Sequence, residues 1–163
     1  MVEQLWSPWR MEYITRDEGA ECVFCAAAAG IPVDNARHRV LAARPDAFVI
    51  VNKYPYSYGH ILVCPRRHVR TPGELTGTER TGFFALVADA QIALSGALSA
   101  RGMNLGMNLG KDAGAGIDDH MHMHLIPRWQ GDTNFMPLIA ECRVIPAHLD
   151  TTFQNLTPAF QRI

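Results

Sequence analysis

Apolar positions recur along this chain with two different periods, and the changes of period mark its elements. Ala47-Phe-Val-Ile-Val-Asn52 is dense in β-branched residues and predicts a strand. Lys53-Tyr-Pro-Tyr-Ser-Tyr-Gly59 carries turn residues and predicts a loop, and His60-Ile-Leu-Val-Cys-Pro65 predicts a second strand. Together they form an antiparallel hairpin with a long connection. The period then changes. From Thr76 to about Arg101, Phe83, Phe84, Leu86, Val87, Ala90, Ile92, Ala93, Leu94 and Leu98 form the wide apolar face of a long helix. Thr76 or Thr78 is its N-cap, with Glu79 in the first turn, and Gly102 is its stop.

Alternation returns in Met103-Asn-Leu-Gly-Met-Asn-Leu-Gly110, a predicted strand with Asn104 and Asn108 on one face. It returns again, more strictly, in His120-Met-His-Met-His-Leu-Ile126. As a strand, this segment turns Met121, Met123 and Leu125 into a core and lines three imidazoles along the other face, starting roughly 6.6 Å apart. A helix would scatter the same three residues over more than half its circumference. Shorter signals complete the reading. Ala26 to Ala29 make one or two helical turns closed by Gly30, Cys142 to Ile145 a short strand, and the remaining tail a weak helix. Residues 1–19, with Trp6 and Trp9, read as an extension that packs on the body or a partner, since exposed tryptophans are costly.

Composition narrows the class. The chain has 163 residues, 48% hydrophobic and 19% charged, which suits one globular domain with a real core. A net charge of −1 argues against a broad nucleic-acid-binding surface, yet leaves room for a small anion held by local cations. The most apolar helical window, Phe83 to Leu98, contains Asp89 and Gln91 and is too short for a membrane span. The N-terminus lacks the basic-then-apolar pattern of a signal peptide. Four cysteines, at 22, 25, 64 and 142, read as thiols or metal ligands rather than a disulfide framework, and a cytoplasmic location follows.

Three features carry candidate chemistry. Neutral imidazole is a nucleophile, a general base and a metal ligand near neutral pH, so a row of imidazoles can attack a small ligand while its neighbours orient it. A metal-scavenging patch or a solvated polar face is the plain alternative. Cys22-Val-Phe-Cys25 lets two thiolates grip one metal or form a redox pair, but the βαβ setting usual for the redox version is missing. Lys111-Asp-Ala-Gly-Ala-Gly-Ile-Asp-Asp119 is a glycine-rich loop directly before the histidines, and such loops present backbone N–H groups to anions. It lacks the G-K-[ST] of a Walker loop and leads into a strand, not a helix.

His-φ-His-φ-His-φ-φ after a glycine-rich loop, together with Gly59-His60-Ile-Leu-Val-Cys-Pro65 and Asn52 eight residues before His60, resembles the histidine-triad nucleotide-binding superfamily over residues 20–130. Trp6-Ser-Pro-Trp-Arg10 and Pro127-Arg-Trp-Gln-Gly-Asp-Thr-Asn-Phe-Met-Pro137 are similar to the bacterial diadenosine tetraphosphate phosphorylase-like branch. The resemblance implies an α+β fold, an antiparallel sheet flanked by helices and assembled as a homodimer. Residues 1–19 are then an N-terminal extension and 131–163 a C-terminal extension packed on the domain.

It also implies roles. His122 would attack the α-phosphorus of a nucleotide or dinucleoside polyphosphate, forming a nucleotidyl-histidine that passes to water or inorganic phosphate. His120 and His124 complete the catalytic set. His124, His60, Asn108 and the loop residues Gly114, Ala115 and Gly116 would contact phosphates, Asn52 the ribose, and Val23, Phe24, Ile31 and Ile50 the base. Ile117 stands where many relatives carry a hydroxyl near the leaving group. Cys22, Cys25, His68 and His120 would close a tetrahedral structural zinc site, with no organic cofactor. A nucleoside phosphoramidate hydrolase and a nucleotide-sensing module with little turnover are the alternative readings.

Overall fold

A computed structural model of the chain describes residues 21–132 and 147–163. The expected N-terminal extension, with its tryptophans, and the expected strand at Cys142–Ile145 lie outside the described residues. Five strands form one sheet: β1 Val40–Ala43, β2 Ala47–Val51, β3 Ile61–Pro65, β4 Gly102–Gly106 and β5 Met123–Arg128. Their order is β1-β2-β3-β5-β4, and every neighbouring pair is antiparallel. Among the described residues four α-helices accompany them: α1 Val23–Ala29, α2 Asn35–His38, α3 Gly77–Leu98 and α4 Leu149–Phe160. The fold is α+β, as expected.

Strand alternation divides the sheet into two apolar faces. Val49, Val51, Ile61, Val63, Met123 and Leu125 point to one side and pack with Phe83, Leu86, Ala90 and Leu94 of α3 and Leu156 and Phe160 of α4. Phe48, Leu62 and Cys64 point to the other and pack with Phe24 and Ala27 of α1. Each large side chain buried this way contributes about 1.5–3 kcal/mol. In β1 the register shifts between Val40 and Ala42, which sends Leu41 and Ala42 together to the α3 face while Val40 and Ala43 join α1.

α3 begins as its sequence predicts. Thr76 accepts the Glu79 N–H at 3.2 Å, and the Glu79 carboxylate accepts the Thr76 N–H at 2.8 Å, a reciprocal cap. Its end differs from expectation. Ser99 takes the left-handed conformation (φ 49°) and stops the helix, whereas Gly102 opens β4 opposite Arg128. With 22 residues and an apolar composition, α3 is long enough to cross a membrane, contrary to the length argument from sequence. Its Phe83, Leu86, Val87, Ala90 and Leu94 are nevertheless buried on the sheet.

Three other boundaries move. β1 is a strand the hydrophobic pattern did not single out. β4 stops at Gly106, so Asn104 lies on the strand and Asn108 beyond it. β5 starts only at Met123, leaving His120 and His122 in the extended lead-in, although alternation persists: Met121 and Met123 are buried on the α3 side.

Candidate functional site

The chain gathers its chemistry on the α1 side of the sheet, around the lead-in to β5. Cys22 caps α1 and Cys25 follows three residues later, a spacing that sets both thiols on one helical face. His68 sits just beyond β3, in a segment tied down by its neighbour. The Arg67 guanidinium grips the Glu79 carboxylate with two 2.8 Å bonds and the Glu74 carbonyl with a third at 2.7 Å. His120 is brought to the same place because the Met121 N–H donates to the Val69 carbonyl at 2.7 Å.

The result is a four-residue cluster. His120 Nδ1 lies 3.3 Å from Cys22 Sγ and 3.6 Å from Cys25 Sγ, and His68 Nδ1 lies 3.2 Å from Cys25 Sγ. One ligand atom from each of the four residues lies within 4.8 Å of all the others. Sulfur and nitrogen ligands on one tetrahedral zinc are separated by about 3.5 Å, so the cluster has the size of a metal site. Outer contacts orient it: His120 Nε2–H donates to the Pro65 carbonyl at 2.9 Å, and His68 Nε2 faces Asp119 at 3.6 Å. Burial, then the hydrogen bond and charge of Cys22, push the Cys25 thiol up to about 11. A cation between the sulfurs would reverse that.

Immediately beside the cluster runs a second row of imidazoles. His122 is 7% exposed, and its Nδ1–H donates to the His120 carbonyl at 2.9 Å. That bond fixes the tautomer and leaves the Nε2 lone pair free. Its ring centroid is 5.0 Å from that of His124. The Tyr56 N–H donates to His60 Nδ1 at 3.0 Å, so in neutral His60 the proton is on Nε2, which donates to His124 Nδ1 at 2.9 Å. His124 is thereby left with Nε2–H as its outward donor. Burial, followed by repulsion from neighbouring imidazoles, lowers His60 to about 3 and His124 to about 4, and burial also lowers His122. The row is neutral at physiological pH.

His60 is held from both sides. Gly59 adopts φ +74°, and a Cβ there would run into the Leu98 side chain, so only glycine lets the chain turn into β3 at this point. Asn52 is 9% exposed. Its carboxamide oxygen accepts the Tyr54 N–H at 3.0 Å, and its amide nitrogen lies 3.2 and 3.3 Å from the two ring nitrogens of His60.

The remaining expected residues divide. Phe24, Ile31 and Ile50 share one apolar cluster with Val40, Phe48 and Leu62, and Phe24 packs against His122 at 5.0 Å. Ile117 joins that cluster and adds apolar wall to it. Val23 does not join it and is 43% exposed. In the glycine loop, Gly110 and Gly114 take positive φ, and Asn108 donates to the Gly114 carbonyl at 3.3 Å. Both ring nitrogens of His120 are engaged, so it serves His122 through its carbonyl, not its ring. Tyr56 was not anticipated. Its ring stacks on His124, 5.8 Å between centroids and 11° from parallel. Three tyrosines crowded into the loop before His60 were the available signal.

Comparison with known proteins bears on the fold and the family. The family model described as HIT domain matches residues 34–131. The AP-4-A phosphorylase of Mycobacterium tuberculosis is 32% identical over 99% of this chain and 86% of its own length. The asymmetrical bis(5'-nucleosyl)-tetraphosphatase of Schizosaccharomyces pombe is 39% identical over 50% of this chain and 44% of its own. Among solved structures, a zinc-bound histidine triad family protein from Mycobacterium smegmatis aligns with a TM-score of 0.68 at 25% identity, covering 87% of this chain and 94% of that one. A model match across most of the chain, a near full-length relative and the shared fold lead to one assignment: this protein belongs to the HIT domain family.

Proposed function

We propose that this chain is a nucleotidyltransferase acting on dinucleoside polyphosphates, in the manner of a diadenosine tetraphosphate phosphorylase. The observation that carries the reading is the His122 Nδ1–H bond to the His120 carbonyl. It holds the ring so that Nε2 is the nucleophile, and it stabilises the positive charge the ring gains when Nε2 bonds to phosphorus. His124 Nε2–H then holds a phosphate oxygen, beside the loop that Asn108 braces. The Gly114 and Ala115 N–H groups, expected to meet phosphate, instead donate to the Lys111 and Gly110 carbonyls at 2.8 and 3.3 Å. The base lies in the cluster of Phe24, Ile31 and Ile50, with Val23 at its margin, and Asn52, just past β2, meets the ribose. Attack on the α-phosphorus of diadenosine tetraphosphate breaks the bond to the bridging oxygen. ATP leaves, and AMP remains on His122. Inorganic phosphate next takes the AMP, giving ADP, and frees the histidine.

Zinc is the metal best suited to Cys22, Cys25, His68 and His120, because two thiolates and two imidazoles complete its tetrahedral shell. With no open position it acts on structure. The protein works as a homodimer: Phe84 and Ile92 on α3, 42% and 66% exposed, and Leu105, 47% exposed on edge strand β4, are apolar surface suited to a second copy. Cys22, Cys25 and Cys64, none in a disulfide with another, fit a cytoplasmic location.

The test is turnover of diadenosine tetraphosphate with and without phosphate, with acid-free quenching and mass spectrometry of the protein. ATP plus ADP, formed only with phosphate, and an AMP adduct on His122 support the proposal. AMP plus ATP at a rate indifferent to phosphate would replace phosphorolysis by hydrolysis. Tight binding without product or adduct would make the protein a sensor.

A further inference from the structure

We infer that Tyr56 is a specificity residue, the platform for the second nucleoside of a dinucleotide substrate; this rests on the reaction proposed above. Phe24, His122, His124 and Tyr56 form one continuous row, with successive ring centroids 5.0, 5.0 and 5.8 Å apart. The two ends of the row are unlike. Phe24 is 4% exposed and sunk among Phe48, Ile31 and Ile50, a closed apolar floor for one base. Tyr56 is 48% exposed, although its ring lies on His124 and, 4.9 Å away, beside His60.

An aromatic ring fixed in that way costs free energy to leave open to water, and it offers a π-face to a planar ligand. The phosphates of a dinucleotide bound over His122 and His124 have a nucleoside at each end. If one occupies the Phe24 floor, the other emerges at the Tyr56 end. Its ring position does not depend on the side chain alone, because the Tyr56 N–H is bonded to His60. A base stacked there distinguishes a dinucleoside polyphosphate from a nucleotide conjugate with a small leaving group.

Tyr56→Ala removes the ring and keeps the backbone donor to His60, so the platform can be tested without taking away the amide bond. In a His122→Asn background, where no turnover interferes, the dissociation constants of diadenosine tetraphosphate and of AMP are measured by calorimetry. Base–aromatic stacking predicts that Tyr56→Ala weakens the dinucleotide about tenfold more than it weakens AMP, and that Tyr56→Phe restores most of the difference. With an intact His122, kcat/KM for diadenosine tetraphosphate should fall by a similar factor relative to that for an AMP ester of a small alcohol. Equal losses for dinucleotide and mononucleotide would overturn the assignment and leave Tyr56 as a support for His124. Failure of the wild type to cleave diadenosine tetraphosphate would overturn the underlying reaction instead, and the binding ratio on the inactive variant would still decide Tyr56.

Discussion

His120 and His122 are two residues apart on the same face of one alternating segment, yet the fold uses opposite nitrogens of their rings. In His120 the Nε2–H is tied to the Pro65 carbonyl, which turns Nδ1 to the cysteines. In His122 the Nδ1–H is tied to the carbonyl of His120, which leaves the Nε2 lone pair open. A single backbone acceptor in each case turns one imidazole toward the thiols and leaves the other with an open Nε2, as the proposed zinc site and the proposed nucleophile require. The two regions are also joined, since His120 supplies both the ring that faces the thiols and the carbonyl that accepts from His122. Phe24, between the two cysteines in sequence, packs on both rings.

The largest effect that separates the two regions is loss of the proposed nucleophile. His122→Asn is expected to lower turnover of diadenosine tetraphosphate at least about a thousandfold while zinc content and the melting temperature stay near wild type. Activity within tenfold of wild type would remove His122 from the proposed role. The reverse experiment attacks the metal. Native protein should carry about one zinc per chain, and Cys22→Ser should remove it and lower the melting temperature, because metal binding is linked to folding. Cys64→Ala should keep the metal, since Cys64 is buried in the α1 cluster and outside the four-ligand set. Elemental analysis of the three proteins decides it.

Acid should act on the imidazole row in a way fixed by sign. His60 and His124 have folded values of about 3 and about 4, below the ordinary value of about 6.5 expected in the unfolded chain. Below that ordinary value the unfolded chain therefore binds more protons than the native one. Their effect on stability is nil above about pH 6.5 and increasingly unfavourable as the pH falls toward 4 and then 3. Melting temperatures at stepped pH, with zinc content followed in parallel, should decline through that window. His60→Gln should flatten the decline. The smallest expected effect sharpens the metal side. Asp119→Asn weakens the outer contact to His68 Nε2, which is half-exposed and 3.6 Å long. A loss of only a few-fold in zinc affinity is expected, at or below the lower end of the about 10–100-fold range for such partners. Competition with a chelator measures it.

Much of this arrangement was legible in the chain itself. The two-residue period of His120 to Ile126 fixes which side chains share a face whatever the strand boundary, so Met121 and Met123 enter the core even where the ladder has not begun. Thr76 and Glu79 cap α3 through contacts three residues apart, which sequence spacing encodes directly. The i,i+3 spacing of Cys22 and Cys25 is local in the same way. Val40-Leu-Ala-Ala43 was not legible because two of its four residues are alanines and its register contains a shift that only pairing with β2 defines. The end of α3 was misplaced because Gly102 has the composition of a helix stop, while β5 recruits it into the sheet opposite Arg128.

What the sequence determined by itself was the inventory and its local phase: an imidazole row on one face, a thiol pair on one helical turn, a glycine loop between strands. Tertiary structure decided which nitrogen each imidazole presents and which residues meet. His68 and His120 are far apart in the chain and become neighbours because Met121 bonds to the Val69 carbonyl and Arg67 anchors to Glu79. Tyr56 joined the site because its amide met His60 and its ring met His124, contacts that depend on how the 53–59 loop folds against β5. Local periodicity fixes direction relative to the neighbouring residues. A tautomer or a ligand set is fixed by the acceptor that arrives from elsewhere in the chain, and that acceptor has no position until the sheet has formed.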